Sequence, residues 1–159
     1  MSNLTVDDSN RSAVELLKRL DAEGYKTIVI TGGVGIGKTF LVQNLVRHDY
    51  AIDEPTFKQH VVSNTAVMIP QGVSVTAATL PLYPLEALAK FPTVFYDDMG
   101  SADLTAALSE KTLYWLNERI KSKTKRTVIT TNLTLEELEK RESRIFSKIC
   151  ERAVIVAME

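Results

Sequence analysis

Cysteine is almost missing from this chain. Cys150 is the one thiol in 159 residues, so no internal disulfide can form and the fold must rest on its core. No apolar run approaches the roughly 18 residues that a membrane-spanning helix needs. Charge of one sign is not in excess either. Nineteen Lys and Arg against 20 Asp and Glu leave a net charge of −1, which excludes a strong global field for nucleic acid and leaves only local patches. The opening residues, Met1 to Asp8, are polar and acidic, unlike an export leader. The two histidines, His48 and His60, have no Cys, His or carboxylate companions at ligand spacing, so metal binding through them is not expected. With 45% hydrophobic and 25% charged residues, the length suits one soluble domain, 1–159, in a reducing, cytoplasmic compartment.

Glycine and proline are also sparse, at 7 and 5, yet four of the glycines crowd into one place. Gly32-Gly33-Val34-Gly35-Ile36-Gly37-Lys38-Thr39 follows the β-prone run Thr27–Thr31 and leads into Phe40-Leu41-Val42-Gln43-Asn44-Leu45-Val46-Arg47. That order is strand, loop, helix, and the loop matches G-x-x-x-x-G-K-[ST] at every fixed position. Glycines let backbone N–H groups approach phosphate oxygens, and the helix N-terminus adds partial positive charge. Lys38 is placed to reach the β- and γ-phosphates, and the Thr39 hydroxyl to bind Mg²⁺. An ordinary glycine-bearing turn would need the Lys-Thr pair and both flanks to be coincidental. Gly32 to Thr39 and the adjoining Phe40 are therefore the candidate contacts for a nucleoside triphosphate or its diphosphate product, ATP or ADP, with Mg²⁺.

The rest of the chain reads in order around this loop. Ala13, Leu16, Leu17 and Leu20 predict a helix over 12–23, capped by Ser9 or Asn10 and ended by Gly24. It either packs beside the nucleotide base or simply covers the sheet. A strand over Tyr25–Thr31 and a helix to about Arg47 complete the first unit. Residues 57–63 read as a second strand, and 66–69 with 73–76 as a hairpin around Pro70-Gln71-Gly72. Pro84 opens a helix over about 85–90, and Pro92 bars its continuation. Thr93-Val94-Phe95-Tyr96-Asp97-Asp98 is an apolar strand ending in two carboxylates, 59 residues beyond Lys38. In a P-loop chain Asp97 would hold Mg²⁺, usually through water, and Asp98 would orient or polarise the attacking water. A longer helix follows, with Leu108, Leu113, Leu116 and Ile120 on one side. Its exit, Arg119–Arg126, carries five positive charges in eight residues, read either as a nucleic-acid or partner contact or as a solvated helix C-terminus. Thr127–Asn132 is a strand ending on an amide, and Thr134 with Glu137 forms a capping box. Arg141, Arg144, Lys148 and Arg152 punctuate a segment that is helical over about 143–150. Ala153–Met158 reads as a final buried strand.

This ordered set resembles the AAA+ ATPases, and within them the DnaC/IstB-like branch of helicase loaders and transposon ATP-binding subunits. Phe95-Tyr96-Asp97-Asp98-Met99-Gly100 is similar to that family's hydrophobic-Asp-Asp-x-Gly. Leu113–Arg119 followed by TVITTNLTLEEL (127–138) resembles its helix, sensor-1 strand and Thr-Asn-Leu signature, and Arg144-Ile145-Phe146-Ser147-Lys148-Ile149 its R-h-x-x-R-h box. The resemblance implies an α/β fold, a five-stranded parallel sheet flanked by helices on both faces, with ATP at the strand C-termini. It makes Asn132 the sensor-1 residue beside the γ-phosphate, and Lys38, Asp98 and Asn132 the catalytic set. It also implies a protein partner (a replicative helicase or a transposase), single-stranded DNA, and a homo-oligomer in the ATP state.

Two departures stand out. Lys148 occupies the arginine-finger position, and a lysine cannot make the planar bidentate contact of a guanidinium. Arg144 or Arg152 are the other candidates for action on a neighbour's nucleotide. The sequence also stops at Glu159, ahead of the family's sensor-2 arginine, so a core without the C-terminal lid is expected, as in a small phage or mobile-element protein or a truncated one. Three functions stay open: an ATP-hydrolysing loader or remodeller, a nucleotide-switched binding module with little or no hydrolysis, and a small P-loop kinase with 141–152 as its lid. The Thr-Asn-Leu stretch argues against the last.

Overall fold

Thr27-Ile28-Val29-Ile30-Thr31 is β-branched at every position and has no charged face, which suits a strand covered on both sides. The computed structural model describes residues 11–33, 37–63, 67–68, 81–103 and 105–158. In chain order its elements are α1 (Arg11–Glu23), β1 (Thr27–Thr31), α2 (Lys38–Leu45), β2 (Tyr50–Asp53), α3 (Glu54–Ser63), β3 (Val67–Met68), β4 (Pro81–Leu82), α4 (Pro84–Lys90), β5 (Thr93–Met99), α5 (Ala106–Lys121), β6 (Arg126–Thr131), α6 (Leu135–Arg141), α7 (Ser143–Cys150) and β7 (Ala153–Ala157). β1 is buried along its whole length. Five strands form one parallel sheet in the order β2-β5-β6-β1-β7.

Alternation along the strands builds two cores. Ile28, Ile30, Phe95, Val128 and Val156 face α1 and α2, meeting Val14, Leu17, Leu41 and Val42. Val29, Tyr50, Val94, Tyr96 and Ile129 face the other way, onto Phe57, Leu88, Leu108, Trp115, Leu116, Ile145 and Ile149 of α3, α4, α5 and α7. The sheet is thus flanked by helices on both faces, as expected. Gly24 ends α1 at φ +81, the left-handed conformation a helix stop favours, while the expected cap, Ser9 or Asn10, lies outside the described residues. α1 packs on α2 and β7, so it covers the sheet.

Several elements differ from the sequence reading. β1 starts two residues later than Tyr25, and α2 stops at Leu45 because Val46 is already extended. Residues 57–63 are helical, and the second strand lies earlier, at Tyr50–Asp53. Asp53 Oδ1 accepts the Thr56 N–H at 2.8 Å, and Pro55 sits in the first turn, where its missing N–H costs nothing. β3 pairs antiparallel with β4, Val67 opposite Leu82; the segment 73–76, expected as its hairpin partner, lies outside the described residues. The buried face of α5 runs through Leu108, Thr112, Trp115, Leu116 and Arg119, leaving Leu113 and Ile120 half-buried and Tyr114 exposed. β7 is a sheet edge, so Val154 is exposed where a buried strand was expected.

The basic exit of α5 also reads differently in three dimensions. Arg119 is neither solvated nor on a surface patch; it is 2% exposed. Its guanidinium donates to Thr127 Oγ1 and to the carbonyls of Leu88, Phe91, Pro92 and Arg126. Lys125 donates to the Ala89 carbonyl, and Arg126 lies 4.9 Å over the Tyr25 ring. These residues tie α4, α5 and the first residues of β5 and β6 together. They sit at the N-terminal ends of the strands, about 17 Å along β6 from its C-terminal end.

Candidate nucleotide site

At the C-terminal end of β1 the chain must leave the sheet and start a helix within a few residues. Gly37 makes that entry at φ +86, directly before α2. Val34, Gly35 and Ile36 lie outside the described residues. Lys38, the first residue of α2, is 5% exposed. Its ammonium donates to the carbonyls of Gly32 and Gly33, both at 2.8 Å, and to Asn132 Oδ1 at 2.6 Å. Burial pulls the Lys38 pKa below its ordinary value, with Asp98 and Asp97 working against that pull. Thr39 donates its hydroxyl to both oxygens of Asp97, each at 2.9 Å.

The Asp-Asp end of β5 is not a regular strand end. Tyr96 pairs with Ile129 and Met99 with Thr131, so β5 carries one extra residue over this interval. Such a bulge re-aims side chains at a sheet's rim. Asp98 takes it up at φ +59, the only non-glycine positive φ among the described residues, a conformation Asp tolerates better than most. The Asp98 N–H donates to Thr130 Oγ1 at 2.9 Å, and the Thr130 hydroxyl in turn donates to Asp97 Oδ1. Burial raises the Asp98 pKa, as do the Asp97 and Asp53 carboxylates, against the opposing charge of Lys38. Asp53 stands directly across from Asp97 in the β2–β5 register.

Lys38, Thr39, Asp97, Asp98 and Asn132, far apart in sequence, thus meet at one end of the sheet. β6 lies between β1 and β5, and this order brings Asn132 to Lys38 and Thr130 to Asp97. Phe40 is 41% exposed on α2. Arg144 and Arg152 are exposed and Lys148 pairs with Glu151 at 3.3 Å, all outside the apolar face of α7 made by Ile145 and Ile149. Three contributors went unread in the sequence: Asp53, Glu54 and Thr130. The run Asp53-Glu54-Pro55-Thr56 carried a helix-start signature that would have located the first two; Thr130 is simply the residue two before the expected Asn132. Among the described residues, no group of three or more His, Cys, Asp and Glu is placed to hold a metal ion.

No protein-family model and no curated protein matches the chain. Solved structures do. A DnaC helicase loader is 19% identical, with 98% of this chain and 93% of that one covered at a TM-score of 0.69. DnaI is 17% identical over 99% and 89%, with a TM-score of 0.72. A replication initiator DnaA bound to AMPPCP and single-stranded DNA is 20% identical, with a TM-score of 0.70; this chain covers about half of it (48%) and is itself covered to 99%. At these identities the likeness is one of fold. The chain has the α/β fold found in the DnaC helicase loader and in DnaI, here a five-stranded parallel sheet flanked by helices on both faces.

Proposed function

We propose that this chain is an AAA+ core that binds ATP with Mg²⁺, hydrolyses it slowly or on stimulation, and serves DNA replication or transposition by loading a helicase or a similar partner. The observation that carries this reading is the convergence of Lys38, Thr39, Asp97 and Asn132 at the end of β1, β5 and β6. The donor set fits the ligands: a hydroxyl and a carboxylate 2.9 Å apart are the hard oxygens Mg²⁺ takes alongside phosphate and water. Bound Mg²⁺ would supply charge to neutralise the phosphate oxygens. Thr39 and Asp97 would hold it. Lys38 already spends its three hydrogen bonds on neutral carbonyl-type acceptors, which phosphate oxygens can replace with stronger ones because both partners are then charged. Asp98 would orient the attacking water and accept its proton, and Asn132 would present its amide to the same region.

The neighbours' roles support the partner class: a helicase loader, and an initiator seen with an ATP analogue and single-stranded DNA. A replicative helicase or transposase, single-stranded DNA and further copies of this chain in the cytoplasm are the proposed company. A second reading, a nucleotide switch with little turnover, is favoured by Lys148, which is engaged with Glu151 and lacks a guanidinium. Steady-state ATP hydrolysis with and without single-stranded DNA tests between them, with Lys38→Ala as the blank. Turnover above that blank is expected; none under any condition, with nucleotide still bound, leaves the switch.

A further inference from the structure

Glu54 is a carboxylate in the interior, 1% exposed, at the first position of α3. Burying such a group is costly unless it is well hydrogen-bonded. It does not cap its own helix, since Asp53 accepts the Thr56 N–H. Among the described residues its three hydrogen bonds go to the Asp-Asp turn. Oε1 accepts from the Tyr96 hydroxyl at 2.9 Å, and Oε2 accepts from the N–H groups of Gly100 at 2.7 Å and Ala102 at 3.1 Å. Tyr96 lies two residues before Asp98 and Gly100 two residues after it, so one side chain grips both sides of the strained residue.

The far side of the turn is fixed as well. Arg141 donates to the Gly100 carbonyl at 3.0 Å, and the Thr131 hydroxyl to the Met99 carbonyl at 2.7 Å. Gly100 is at φ +89, and a Cβ there would meet Leu133 Cδ1 at 2.5 Å. The turn is therefore wedged between Leu133 and Glu54. Without Glu54, two amides and a phenol lose their acceptor, and the left-handed Asp98 loses one of the contacts that hold it.

We propose that Glu54 is a positioning residue: by clamping Tyr96, Gly100 and Ala102 it holds the Asp98 carboxylate where it acts on the attacking water. This rests on the reading of Asp98 given above. A small misplacement of a reacting group can cost as much as about a hundredfold in rate. Glu54→Ala is therefore expected to lower kcat at least tenfold while nucleotide affinity stays within about twofold, because Lys38 and Thr39 do not touch Glu54. Glu54→Gln can still accept both amides on its oxygen and donate to Tyr96, and is expected to restore most of kcat. Glu54→Asp, one methylene short, serves if the alanine variant does not fold and is expected to behave like it. Leu88→Val, a shortened side chain in the same core, controls for stability and is expected to keep kcat per folded molecule.

Unchanged kcat in Glu54→Ala, a parallel fall in affinity, or no recovery with Gln overturns the proposal while leaving ATP hydrolysis by the wild-type chain intact. Should the wild-type chain bind nucleotide without turnover, the hydrolytic reading falls instead. Amide exchange then decides on Glu54: faster exchange confined to 98–102 in Glu54→Ala supports the clamp, and unchanged exchange there overturns it.

Discussion

Asp98 holds a left-handed backbone and a carboxylate pressed by two others, and both facts bear on how it titrates. Burial, Asp97 and Asp53 raise its pKa above the ordinary 3.8. In the proposed role of general base Asp98 must be ionised, so the acid limb of a kcat–pH profile is expected above that value, with activity falling as pH drops through the raised pKa. Asp98→Asn should keep nucleotide binding and lose turnover by about a hundredfold or more, measured at saturating ATP. Glu54 gives a second pH-dependent expectation, in stability. Burial raises its pKa, against the lowering effect of its hydrogen bonds to Ala102, Tyr96 and Gly100 and of Arg141. A raised folded-state pKa means its contribution is full below the unfolded value of about 4.5 and is lost as pH rises through the folded one. Glu54→Gln does not titrate, so its melting temperature should gain on the wild type between pH 4 and pH 8. A difference that stays flat across that range would contradict the assignment.

At the scale of elements, the junction of α4, α5, β5 and β6 depends on one buried guanidinium. Arg119 fills acceptors on five residues with its donors, and burial lowers its pKa to about 10. Arg119→Met keeps much of the volume but leaves several buried carbonyls without a donor. A loss of about 3 kcal/mol or more is expected in urea unfolding, with nucleotide affinity unchanged in the folded fraction. No basic surface for DNA forms from this residue, which changes the meaning of the charge run in which it stands. The sequence showed elements with strong local signatures. The capping box of Thr134 and Glu137, the Pro84 helix start, the Gly24 stop and the amphipathic α7 all stand where expected. Residues 57–63 were misread as a strand because Val61-Val62-Ser63 looks β-prone in isolation. The Asp53 cap and the burial of Phe57 against Tyr96 outweigh that weak preference.

For the whole molecule, the open question is assembly. Arg144, Lys148 and Arg152 all stand outside the apolar face of α7, so a second copy can reach them without unpacking the core. ATP with Mg²⁺ is expected to at least double the mass seen by light scattering, and Arg144→Ala to reduce that effect while nucleotide binding persists. A strict monomer with ATP would count against it.

The sequence by itself determined the phosphate-loop signature, the two carboxylates ending a strand and the amide ending another, and the family resemblance these carry implied the fold class. Each of those depends on a few adjacent residues whose chemistry is local: glycine conformations, a cap, a run of β-branched side chains. Only the tertiary structure decided that β6 runs between β1 and β5, which brings Asn132 onto Lys38 and Thr130 onto Asp97. The same holds for Glu54 and Arg119, whose partners lie up to 48 and 31 residues away. A buried charge is defined by what surrounds it, and those surroundings exist only once the sheet has closed over them.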